Sequence, residues 1–134
     1  MSERLLKIDP SGEISWVSID RKPYNWTVGD GFSLNQIYAA IDCSCVEQVR
    51  TVLPGIVLLV DESGRIKDPP KPHNEIASRL YAGWISGWDD IVGSALICAL
   101  RPVPPLMEHD WCVLNHAELL KLSLFLGVEL PEDK

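Results

Sequence analysis

The sequence predicts an α+β fold, a mostly antiparallel sheet of about five strands with three short helices. Three observations predict it. Apolar runs of strand length are joined by turns of two to four residues, which only antiparallel neighbours accommodate. Three other stretches carry apolar residues at helical spacing, each behind a capping residue: Ser33, Asn74 and Asn115. The length of 134 residues fits a single domain with a core of its own.

The first element is a hairpin. "RLLKI" and "EISWVSID" are strand-like arms, and Asp9-Pro10-Ser11-Gly12 supplies the bend, with Pro fixing φ and Gly accepting a positive one. Residues 21–32, rich in Gly, Pro and Asp, read as a loop. Ser33 then caps a helix whose Leu34, Ile37, Tyr38 and Ile41 share one face. "CVEQVRTVL" is a strand with polar residues on show, and Pro54-Gly55 turns it into "IVLLVD".

"IVLLVD" is apolar on both faces and therefore reads as a central strand, paired antiparallel with Cys45–Val52. Ile56, Leu58 and Val60 face one side, and Val57 and Leu59 the other. A small α+β domain with three short helices lacks cover for two sheet faces, so a homodimer is expected to bury the second. Leu59→Asp is then expected to split that dimer or unfold the chain.

After "ESG" a short strand "RIK" is expected. The prolines of "DPPKPHN" forbid regular structure. Asn74 caps a second helix, "EIASRLYAGW", "ISGWDD" reads as a loop, and "IVGSALICAL" is a second buried strand. "RPVPPLMEHD" reads as a proline-rich loop, and the C-terminal helix occupies 115–127, closed by Gly127.

Composition excludes several function classes. The net charge of −7 opposes direct binding to a phosphate backbone, which needs a basic face. The longest apolar run is about half of what spans a bilayer, so no membrane insertion is expected. The four cysteines come without a secretory leader, which points to reduced thiols in a cytoplasm. Cys45 and Cys98 read as small core residues, with Cys45 shielded from alkylating reagents.

Catalytic constellations are weak. Cys43-Ser44-Cys45 lacks the two-residue gap of a zinc-binding pair, and a site from Cys112, His116 and His109 would need a further ligand. No nucleophile elbow or phosphate loop occurs. Asp61-Glu62 and Asp89-Asp90 flank strand ends, and adjacent strand residues point to opposite faces, which makes poor acid–base pairs. The aromatic residues stand out more. Tyr81, Trp84 and Trp88 crowd one Gly-containing stretch and Tyr24 and Trp26 another; such residues either plug the sheet ends or line a binding surface.

The order of several short motifs carries a resemblance. A helix is followed by Val46-Glu47-Gln48-Val49 on a strand, Asp61-Glu62-Ser63-Gly64 at a turn, Asn74 with Ala77, and Asp90-Ile91-Val92-Gly93 opening a strand. In this order the chain resembles the domain-of-unknown-function family numbered 3846, over about residues 34–97. Ser63 replaces a second acid, "DPPKPH" is an insertion, and the tail after Arg101 has no counterpart. The resemblance implies no established activity. It implies an accessory protein of phages and mobile elements, acting in the bacterial host cytoplasm.

The resulting expectation is a non-enzymatic binding protein that inhibits or sequesters a host protein or a nucleotide-like signal, with no cofactor and no metal. The residues expected to meet the partner are Trp26, Tyr81, Trp84, Trp88, Asn74, Glu62 and Asp90. A small metal-dependent hydrolase using Glu47, Asp61, Glu62, Asn74 and Asp90 is the alternative, and an acidic nucleic-acid mimic the second.

Overall fold

The computed structural model describes residues 2–21, 32–64, 66–82, 90–103 and 108–132. It is an α+β structure built on one antiparallel sheet. The elements are β1 (Ser2–Ile8), β2 (Ile14–Asp20), α1 (Leu34–Ile41), β3 (Val46–Arg50), β4 (Ile56–Asp61), α2 (Glu75–Leu80), β5 (Ala95–Val103), β6 (Glu108–Cys112) and α3 (His116–Leu126). The strands run in the order β2-β1-β5-β4-β3, and β6 pairs with β5.

The first hairpin forms as its turn chemistry requires. Asp9 accepts from Gly12 and donates to Glu13, and Gly12 has φ +93°. The second hairpin sets Val46 opposite Asp61 and Arg50 opposite Val57. Its bend spans Thr51–Gly55, where the Thr51 hydroxyl donates to the Ile56 carbonyl at 2.7 Å.

All six residues of β4 are buried. Ile56, Leu58 and Val60 face a core shared with Ala77 and Leu80 of α2 and Leu122 and Leu126 of α3. Val57 and Leu59 face a second core with Ile37 and Ile41 of α1. Burying a Leu or Ile side chain stabilises by about 1.5–3 kcal/mol, which is why both faces demand a cover. Three short helices divided between two faces provide it within one chain. The sheet face thus supplies no reason for a homodimer, and Leu59, fully buried beneath α1, bears on folding rather than on assembly.

The first half of β5 pairs with β1, through Leu6↔Ile97 and Ile8↔Ala95. From Ala99 to Val103 the same flank belongs to β6, so the start of β1 pairs with β2 alone. This corrects the reading of a proline-rich loop at 101–103 and 108–110, which are strand. Pro102 lies within the strand because β4 has already ended: Leu100 donates to Gly55, and the next nitrogen on that flank is the proline's. A missing N–H there breaks no ladder bond. Among the described residues the sheet therefore has six strands. Of the expected "RIK" strand, Arg65 lies outside the described residues, and Ile66 and Lys67 lie in a turn and a bend, with Ile66 84% exposed.

The helix starts are those the caps predict, but α2 is shorter than the expected "EIASRLYAGW": it ends at Leu80, because Tyr81 turns extended and bridges Thr51. Ser33, Asn74 and Asn115 each accept from the backbone N–H of the third residue of their helix, and Asn115 with Glu118 completes a capping box. Gly127 closes α3 in the left-handed conformation. No helix among the described residues is long and apolar enough to cross a membrane.

Candidate functional site

Two regions concentrate chemistry. The first is where the motifs meet. Asp61, at the end of β4, has a buried carboxylate 2.5 Å from Lys67 Nζ and 2.9 Å from Lys71 Nζ. It also accepts from the Ser63 backbone at 3.0 Å. Burial by itself would raise its pKa, but the two lysines and the Ser63 N–H outweigh it and hold the carboxyl at about 2. Lys71 Nζ further donates to the carbonyls of Ile41 (2.8 Å) and Asp42 (2.5 Å), placing a cation at the C-terminus of α1.

Glycine makes room for that lysine. A Cβ at Gly93 (φ +75°) would lie 2.7 Å from Lys71 Cδ, and one at Gly64 would lie 3.1 Å from Val92 and 3.5 Å from Lys71 Cδ. Asn74 is fully buried; its Nδ2 donates to the carbonyls of Ile8 and Gly93, both at 2.9 Å, and its Oδ1 accepts from Ala77 N. It is an interior latch between β1, α2 and the entry to β5, which corrects its placement on a partner surface. These motif residues hold the fold together.

Beside this knot Glu62, Tyr81 and Asp90, three of the sequence-predicted contacts, line a cleft of about 80 Å³ with Glu47 and Asp61. The space is far below the 300–1,000 Å³ of a ligand pocket. Glu62 accepts from Cys45 Sγ at 2.7 Å, and Asp90 pairs with His73. Cys45 is exposed and precedes β3, so it is not the core residue expected; Cys98 is fully buried as predicted. Trp26, Trp84 and Trp88 lie outside the described residues. Among the described residues no group of three or more His, Cys, Asp or Glu is placed to hold a metal ion.

The second region was not foreseen. Where β1 parts from β5, a cleft of about 500 Å³ opens between the first hairpin and the C-terminal segment. Trp16, Leu114, Leu119 and Leu130 form its apolar wall, and Glu3 and Arg4 bring charge to it. Trp16 Nε1 donates to the Pro131 carbonyl at 2.8 Å, fastening the tail along one side. Arg21 secures the opposite end: its Nε meets Glu3 at 2.9 Å, its Nη1 meets Asp110 at 3.3 Å, Nη2 donates to the Trp111 carbonyl, and the guanidinium stacks on Phe32. A tryptophan among the aliphatic and polar residues of the edge strand β2 was the available signal. Its partners come from residues 114–131, which no local pattern links to it.

No curated protein and no solved structure matches the chain. The family model described as "Domain of unknown function (DUF3846)" matches residues 3–102. That is 100 of the 134 residues; the match takes in the first hairpin that β5 joins to the sheet and stops within β5. The chain therefore belongs to the DUF3846 family.

Proposed function

We propose that the chain is a non-enzymatic binding protein, an accessory of phage or mobile-element type in a bacterial cytoplasm, that sequesters a small nucleotide-like ligand. One observation carries the reading: the cleft of about 500 Å³ combining Trp16, an aliphatic wall and Arg4. A planar base suits an aromatic wall, and a guanidinium suits a phosphate. Glu3, the acid in the cleft, is held by Arg21, which moderates its repulsion of an anion. A ligand enclosed there would be withdrawn from whatever host process uses it, which amounts to inhibition without catalysis.

The convergence of Glu47, Asp61, Glu62 and Asp90 favours the hydrolase alternative. Against it stand the small volume and the engagement of Asp61 by two lysines. The acids Glu3, Asp9, Asp61, Asp110 and Glu118 all pair with Lys or Arg, on elements spread over the sheet and α3, which lends the nucleic-acid mimic no support.

Calorimetry against a panel of nucleoside mono-, di- and triphosphates and cyclic dinucleotides tests the reading. One class is expected to bind, with Leu114→Trp abolishing binding by filling the cleft and Arg4→Ala weakening it about tenfold or more, as loss of a charge-assisted contact does. No binding at millimolar nucleotide, or unchanged binding by a folded Leu114→Trp variant, would remove it. Magnesium- or manganese-dependent phosphate release would favour the hydrolase instead.

A further inference from the structure

We infer that the outer face of α3 is a self-association surface, occupied by the same face of a second copy in antiparallel orientation. α3 is apolar on two sides. Leu122 and Leu126 are buried against the sheet, and Leu119 turns towards the cleft. On the outside Leu120 is 51% exposed, Leu124 81%, Phe125 40% and Val128 37%. Leu120 and Leu124 lie one turn apart with Phe125 beside Leu124, so they form one ridge along the helix, and the exposed Val128 follows just past the Gly127 cap. The ridge lies beyond residue 102, where the family match ends.

Area and charge both point to a second copy. Side chains of this size and exposure present on the order of 400 Å² of apolar surface, at the scale of the largest patches on monomers. It is also near the apolar share of one side of a standard interface of about 800 Å² per partner. Lys121, exposed, lies three and four residues before Leu124 and Phe125, whereas the exposed Glu129 lies just beyond Val128. A two-fold axis near Leu124 sets Leu120 against Val128 of the other copy and Leu124 against itself. In that register Lys121 faces position 127 of the other copy, and its long side chain has two residues to span to reach Glu129. A two-fold contact must be self-complementary, and this arrangement of one cation and one anion about a central leucine is. Glu118 does not compete, because it pairs with Arg101 and caps the helix.

The inference is independent of the cleft, and sedimentation equilibrium of the full chain tests it. Over roughly 1–500 μM the weight-average mass is expected to rise from 15.0 kDa towards twice that value, as a contact at the small end of specific interfaces allows. Leu124→Glu is expected to hold the mass at the monomer with an unchanged circular dichroism spectrum, since a residue so exposed has little part in the core. Lys121→Glu is expected to weaken association several-fold, and Lys121→Glu combined with Glu129→Lys to restore it. A monomer throughout the range, or association unaltered by Leu124→Glu, would overturn the inference. Failure of the charge exchange to restore association would overturn the antiparallel pairing.

Discussion

Lys71 Nζ lies 2.9 Å from the buried carboxylate of Asp61 and, through the same ammonium group, holds the last carbonyls of α1. The folded state thus keeps Asp61 ionised, with its pKa lowered from 3.8 to about 2. A depressed carboxyl contributes stability that is complete above the unfolded value and lost as pH falls through the folded one. Urea midpoints are therefore expected to decline from about pH 4 to pH 2 by an amount worth roughly 2 kcal/mol. Asp61→Asn is expected to flatten that decline. Lys71→Met, which leaves the buried carboxylate with Lys67 as its one remaining cation, is expected to cost about 3 kcal/mol at neutral pH. An acid limb unchanged in Asp61→Asn would contradict the assignment.

Gly93 and Gly55 both have positive φ, +75° and +79°, but only Gly93 faces an obstacle. Alanine at either position carries about 1–2 kcal/mol of left-handed strain. At Gly93 its Cβ also meets the Lys71 stem, whereas at Gly55 nothing lies within 4 Å. Thermal melts are expected to rank Gly93→Ala well below Gly55→Ala. Equal losses would show that the lysine stem moves aside freely.

Cys45 is exposed, yet its thiol pKa is raised, chiefly by the hydrogen bond to Glu62. Iodoacetamide is expected to modify it slowly near pH 8 and faster as pH rises, because the thiolate is the reactive form. Glu62→Gln removes the carboxylate and is expected to speed modification near pH 8 several-fold. Cys98, buried and with its thiol pKa raised by that burial, is expected to react only on unfolding. Peptide mass mapping after timed alkylation reads both sites, and equal rates in the two proteins would remove the role given to Glu62.

Asn74→Ala is expected to leave the carbonyls of Ile8 and Gly93 without their shared donor and Ala77 N–H without its acceptor. Buried unsatisfied groups cost about 1–3 kcal/mol each, so a loss of at least 3 kcal/mol in the urea midpoint is expected. A loss below 1 kcal/mol would mean that water replaces the amide.

Local patterns made most of the fold legible. The Pro54-Gly55 bend, the two-faced burial of β4 and the three caps all follow from residues near one another in sequence. What escaped depends on distant partners. Pro102 reads as a strand breaker until β4 is seen to end beside it. Cys45 resembles the start of a buried strand, but β3 lies at the sheet edge and begins one residue later. The cleft is the extreme case: Trp16 and Pro131 are 115 residues apart.

Because β5 trades β1 for β6 partway along, the fold has a natural seam for diversification. Past Leu100 the ladder of β5 involves β6 alone. An arm grafted at that seam can lengthen, shorten or change sequence without forcing a register slip on the inner strands. Here the arm supplies Leu114, Leu119 and Leu130 to one wall of the cleft and the whole of the outer ridge. A change confined to this terminal arm would thereby reshape the cleft wall and the outer face of α3 while the inner strands keep their register.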